Sequence, residues 1–126
     1  MSKTIISTQD APKAIGPYVQ ATKVGNFLFT SGQIPLDPKT NTIVTGDIKV
    51  QSHRSLDNLM AVLKEAGMDS SNVVKTTCFL KNIEDFAAFN EVYAKYFTEK
   101  PARSCVAVKT LPKDVLCEVE AIAYLG

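Results

Sequence analysis

The apolar residues in the middle of the chain switch period twice, and that switch limits the folds available more than any other feature. Between Asp47 and Ala66, the residues Leu56, Leu59, Met60 and Leu63 fall at i, i+3, i+4 and i+7, the stripe of one helical face. Gly67 follows as the residue that closes such a helix. Asn72 to Lys81 is rich in β-branched residues and reads as a strand. A second helix then starts at Asn82 as cap, with Glu84 and Asp85 facing the positive end of its dipole. Its buried stripe is predicted to be Phe86, Phe89, Tyr93 and Phe97. Pro101 stops the helix, 102–108 extends, Leu111-Pro112-Lys113-Asp114 turns, and 117–125 forms the last strand. Each helix leaves one strand and returns to another, so both crossovers should be right-handed and lay the two helices on one face of a sheet.

The first third adds the remaining strands. Lys3 to Ser7 fits a short edge strand, and 11–17, with Pro12, Gly16 and Pro17, is a shaped loop. Tyr18 to Val24 and Phe27 to Ser31 flank Gly25-Asn26, a pair suited to a two-residue hairpin because both tolerate positive φ. Gly32 to Gly46 reads as a long loop with at most a brief extended piece near Ile43. The order is β-β-β-α-β-α-β-β: an α/β (α+β) domain spanning residues 1–126, with a mixed six-stranded sheet. Phe27-Leu28-Phe29 and the run from Val119 to Leu125 are apolar on both sides of the pleat, where a sheet with one wet face would alternate. The bare face is expected to pack against another copy in a closed homo-oligomer.

Charge narrows the function classes. Lys plus Arg number 14 against 13 acids, a formal charge of +1, and the cations are scattered. No basic stripe marks a nucleic-acid or anionic-membrane surface. No apolar run reaches membrane-spanning length, and the first residues lack the apolar core of a secretory signal, so a cytoplasmic location is expected. Three cysteines without a CxxC pair, and His53 as the one histidine, suggest neither a disulfide framework nor a metal site. Two of the thiols are expected in the core.

Chemistry concentrates at Pro101-Ala102-Arg103-Ser104-Cys105. An arginine held on a short, restricted approach is either a solvated cation or a carboxylate receptor, since its planar fork donates two parallel hydrogen bonds. Glu118 and Glu120 lie two apart on one strand face, rooted among Val119, Ala121, Ile122 and Ala123. They are either solvated or held at a raised pKa, fit to orient or deprotonate a water. Cys105 lacks a histidine partner and reads as a small semi-buried residue rather than a nucleophile. Tyr18 and Ser31 are polar tips on shaped ends, more often hydrogen-bonding groups than ligand contacts.

The blocks Ile15-Gly16-Pro17-Tyr18, Thr30-Ser31-Gly32-Gln33-Ile34-Pro35, Pro101-Ala102-Arg103-Ser104-Cys105, Leu111-Pro112-Lys113 and Glu118-Val119-Glu120-Ala121-Ile122-Ala123 resemble, in order, those of the reactive intermediate deaminase family, also called RidA or YjgF-like. The resemblance spans essentially the whole chain. It implies a chorismate-mutase-like fold, a homotrimer with active sites between subunits, and hydrolysis of 2-imino acids such as 2-iminobutanoate and 2-iminopropanoate to 2-oxo acids and ammonia, with no cofactor. By the same resemblance, Arg103 binds the substrate carboxylate, Glu118 positions the attacking water, and Cys105 contributes backbone groups. Tyr18, Ser31 and Gly32 line the pocket, and Asn90 faces the cleft. Two departures bear on pocket shape: 98–100 is about a residue shorter than usual, and Ala107 stands where an acid is common. The rival readings are an RNA-directed endoribonuclease or translation inhibitor, and a non-catalytic ligand-binding or chaperone trimer.

Overall fold

The computed structural model describes residues 2–126. Eight strands and two helices follow in the order β1 (Thr4–Ile6), β2 (Ala21–Val24), β3 (Phe27–Thr30), β4 (Leu36–Asp37), β5 (Thr42–Ile43), α1 (Ile48–Glu65), β6 (Val73–Leu80), α2 (Phe86–Tyr96), β7 (Ala102–Ala107) and β8 (Cys117–Tyr124). Six of the strands make one mixed sheet in the order β1-β2-β3-β8-β6-β7. Among neighbouring strands only β6 and β7 are parallel, and α2 supplies the crossover such a pair needs. The last strand, β8, inserts between β3 and β6 and is antiparallel to both.

The 47–66 helix is bounded as its sequence requires. Asp47 accepts a hydrogen bond from the Val50 amide at 3.1 Å. At the other end Gly67 takes φ 75°, while its amide and that of Met68 donate to Lys64 O and Leu63 O, the paired bonds of a Schellman close. The buried face is wider than its leucines: Ser52, Ser55, Asn58 and Val62 are buried beside Leu56, Leu59 and Leu63. Asn58 stays satisfied there by donating to Ile34 O and Leu36 O and accepting from Arg54.

Both helices cover one face of the sheet. Leu28 of β3, Cys78 and Leu80 of β6, and Cys117, Val119, Ala121 and Ala123 of β8 meet α1 and α2 in a single core. Each fully buried Leu or Phe in it stabilises the fold by ~1.5–3 kcal/mol. The other sheet face is not covered within the chain. Phe27, Phe29 and Tyr124 cluster there at 43%, 44% and 40% exposure, with ring centroids 6.2 Å apart for Phe27–Phe29 and 4.8 Å for Phe27–Tyr124.

Five details depart from the sequence reading. First, the 32–46 stretch is not plain loop: β4 and β5 form a separate hairpin, with Asn41 supplying the positive φ its turn needs. Second, at Gly25-Asn26 only Gly25 has positive φ, the pattern of a type II′ turn, so the tolerance of Asn26 is not used. Third, the strand before that turn starts at Ala21 rather than Tyr18, because the main chain at Val19 and Gln20 is turned toward Ser31. Fourth, Asn82 makes no side-chain cap. It precedes a 3₁₀ turn at 83–85, and α2 begins only at Phe86. Fifth, Phe86 is 38% exposed rather than buried, because it lies at that late helix start, over the edge strand β7.

Candidate functional site

Strand register divides the candidate residues into two groups. Arg103 pairs with Thr76 and Cys105 with Cys78 across β6–β7, and Thr76 and Cys78 pair with Ala121 and Val119 across β6–β8. Arg103 and Cys105 therefore share the helix-covered face. Glu118 pairs with Phe79 and Glu120 with Thr77, so both carboxylates stand on the uncovered face. Ser104, paired with Thr77, also belongs to that face and leaves Cys105 as the polar neighbour on Arg103's side.

The first group is built by α2 over β7. The Arg103 guanidinium carbon is 4.8 Å from the Tyr93 ring centroid and 5.5 Å from that of Phe86. Its Nη1 donates to Asn90 Oδ1 at 2.8 Å. Phe86, Asn90 and Tyr93 occupy i, i+4 and i+7, so one face of α2 supplies all three contacts. Tyr93 is fixed in turn by a 2.7 Å hydrogen bond with Thr76, whose side chain is fully buried. The cation is thus clamped by aromatic rings and by Asn90 at one nitrogen, and a cavity of about 490 Å³ opens beside it, lined by Asn90, Tyr93, Phe97, Pro101 and Arg103 among others. Lys100, at φ 54°, turns the chain into β7 just before Pro101.

The two neighbouring thiols differ. Cys78 is fully buried and is pushed up by its contact with Cys105 and by burial. Cys105 is pulled down to about 7 by the hydrogen bond with the Cys78 thiol and, more weakly, by the Arg103 charge, against the opposing effect of its own partial burial. His53 is not near them: its Nδ1 lies 2.9 Å from Tyr96 Oη, which in turn donates to Asp57. Cys105 thus has no general base of the kind a cysteine nucleophile uses. Cys78 and Cys117 are the core thiols, and all three are free.

The second group is built by a bulge in β3. The β3–β8 ladder runs from Phe27↔Tyr124 to Phe29↔Ile122, and pairing resumes at Gln33↔Val119. Three residues, Thr30, Ser31 and Gly32, therefore oppose two, Glu120 and Ala121. Thr30 turns its hydroxyl in to accept from the Ala121 amide at 3.0 Å. Ser31 is held by its amide to Gln20 O at 2.8 Å and by its hydroxyl to Val19 O at 2.6 Å. Gly32 then lies directly against the Glu118 carboxyl: a Cβ on Gly32 would stand 2.7 Å from Glu118 Cδ. Burial, reinforced by Glu120, raises the Glu118 pKa. Tyr18 and Gly32 line one small cavity, and Tyr18's hydroxyl accepts from the Ile15 amide at 3.4 Å.

So the structure brings Tyr18, Ser31, Gly32 and Glu118 together, and separately Asn90, Arg103 and Cys105; within one chain the two groups do not meet. The sequence reading missed the roles of Tyr93, Phe86 and Thr76 around Arg103. The shared helical face of 86, 90 and 93 is the signal that could have found the first two. Among the described residues no group of His, Cys, Asp and Glu could hold a metal ion, and no helix is long and apolar enough to cross a membrane.

A model of the endoribonuclease L-PSP family matches residues 8–125. The chain is 59% identical over 125 residues to a RutC family protein of Pyrococcus abyssi, with 98% of each chain covered. It is 53% identical over 127 residues to the 2-iminobutanoate/2-iminopropanoate deaminase of Escherichia coli, again with 98% of each covered. The crystal structure of Escherichia coli TdcF with bound serine matches with a TM-score of 0.93 at 47% identity, covering 98% of this chain and 99% of that one.

Proposed function

The chain belongs to the endoribonuclease L-PSP family, which includes the Rid and YjgF-like proteins, and from that premise we propose that it hydrolyses 2-imino acids such as 2-iminobutanoate and 2-iminopropanoate to 2-oxo acids and ammonia in the cytoplasm. The site is composite. Asn90, Arg103 and Cys105 of one copy face Tyr18, Ser31, Gly32 and Glu118 of another, in a homotrimer. The observation that carries this reading is the clamped guanidinium of Arg103 on one sheet face and the pKa-raised carboxyl of Glu118 on the other. An acid-binding group and a water-activating group at such placements serve one reaction only if two copies bring them together.

The chemistry required is modest, because an imine already hydrolyses in water. Arg103 has one nitrogen held by Asn90, and its remaining donors bind the two oxygens of the substrate carboxylate. Charge-assisted bonds of this kind are worth about 1.5–3 kcal/mol each. Glu118, ionised, accepts a proton from a water as the oxygen attacks C2 and the C=N bond becomes a single bond. It returns that proton to the nitrogen to give the carbinolamine, then relays the new hydroxyl's proton to the same nitrogen as the C2–O bond becomes double and the C2–N bond breaks, and ammonia and the 2-oxo acid leave. Positioning supplies most of the acceleration. Cys105 forms no covalent bond in this scheme.

One relative with a small amino acid bound supports the class of ligand: the TdcF structure holds serine. A ribonuclease reading follows from the family's description but predicts RNA affinity with steep salt dependence, and a charge of +1 without a basic stripe gives it no footing. The test is an imine-clearance assay, with a dehydratase supplying the imine, on the wild type and on Arg103→Ala and Glu118→Gln. Loss of clearance in both supports the reading; clearance at the wild-type rate in either sinks it.

A further inference from the structure

The residues from Ser7 to Val19, which lead to Tyr18, form a strap with little packing of its own. Within it only Ala11 is buried, and a hollow of about 570 Å³ lies beneath it, lined by Ile5, Thr8, Lys13, Tyr18 and Gln20 among others. A segment held so weakly by apolar contact takes its shape from polar bonds. Among the described residues, one side chain makes four of the five polar contacts that join the strap to residues outside it. Gln20, 5% exposed, accepts the Thr8 amide on Oε1 at 2.7 Å and shares its two Nε2 hydrogens among Thr8 O at 3.1 Å, Ala11 O at 3.3 Å and Pro12 O at 2.8 Å. Its main-chain carbonyl accepts the Ser31 amide at 2.8 Å, which ties the same residue to the bulge that presents Ser31 and Gly32.

We propose that Gln20 is a positioning residue that fastens the 7–19 strap to the Ser31–Gly32 bulge and so fixes Tyr18 at the substrate pocket. This deepens, and rests on, the imine-hydrolysis reading above. The amide is the required chemistry at this position: three carbonyls converge on one Nε2, so a carboxylate there keeps the Thr8 contact and loses every donated bond. A strap released in this way spends only part of its time in the binding-competent shape. Apparent affinity then falls by the reciprocal of that fraction, while the turnover of bound substrate is preserved.

The experiment compares the wild type with Gln20→Glu and Gln20→Leu as intact proteins. Trypsin cleavage after the exposed Lys13, followed by mass spectrometry, reads the strap directly. Steady-state imine clearance reads the consequence. In both variants cleavage is expected to accelerate about tenfold, and KM for 2-iminobutanoate to rise by a similar factor with kcat within about twofold of wild type. Unchanged cleavage overturns the proposal, and so does faster cleavage with KM unchanged, or a loss confined to kcat. If the wild type clears no imine at all, the functional reading fails, and the cleavage comparison alone decides whether Gln20 fastens the strap.

Discussion

The ring of Tyr93 lies 4.8 Å from the Arg103 guanidinium carbon, and the hydroxyl of the same tyrosine is bonded at 2.7 Å to Thr76, the strand partner of Arg103. The contact closes a loop from β6 through α2 to β7 and back. Tyr93→Phe keeps the ring under the cation but leaves the buried Thr76 hydroxyl without its partner, and should lower unfolding stability by ~1–3 kcal/mol in denaturant melts while KM changes little. Tyr93→Leu removes the ring as well and should raise KM several-fold.

Arg103→Lys keeps the charge and loses the fork. Losing one of two charge-assisted bonds, about 2 kcal/mol, should raise KM for the imine about 30-fold in the coupled assay. A lysine variant with wild-type KM would show that the cation acts only as a point charge.

Gly32→Ala drives a methyl group into the Glu118 carboxyl, a flexible side-chain end rather than main chain. The fold should therefore survive, with a small shift in thermal midpoint, while kcat falls about tenfold or more because the carboxyl is displaced from its water. Equal kcat in Gly32→Ala and wild type would separate Glu118 from the chemistry.

The raised pKa of Glu118 fixes two pH dependences. Its cause is burial, so the folded state holds the proton more tightly than the unfolded chain does, with its ordinary value of 4.5. Below 4.5 both states are protonated and no penalty exists; as pH rises through the folded pKa the penalty develops in full. Glu118→Gln should accordingly be more stable than wild type at pH 7 by a margin that vanishes near pH 4, measured by paired urea titrations. Activity runs the other way, since only the ionised carboxylate accepts the water's proton: kcat/KM should rise with pH through a midpoint above 4.5.

Much of this was legible in the sequence because it depends on local spacing. The α1 stripe, the Asp47 and Gly67 ends, the β6 and β8 strands and the doubly apolar β3 follow from period and capping chemistry, and the structure bears them out. The β4–β5 hairpin was hidden because two-residue strands carry no period. Phe86 read as core because helical spacing does not reveal that α2 starts late and lays its first turn over the sheet edge. The bulge at Thr30–Gly32 and its contact with Glu118 depend on β8, some ninety residues later, so no local pattern reports them. The separation of Arg103 from Glu118 onto opposite faces likewise follows only from register across β7, β6 and β8.

The most direct measurement is a complementation between two inactive proteins. Arg103→Ala and Glu118→Ala are each purified, then unfolded and refolded together in equal amounts, and imine clearance is measured. If each site takes Arg103 from one copy and Glu118 from another, random mixing restores about a quarter of wild-type sites whatever the size of the closed ring. The expected recovery is close to a quarter of wild-type kcat with unchanged KM, from two proteins that are inactive alone. A mixture as inactive as its components, or either variant active by itself, would contradict it.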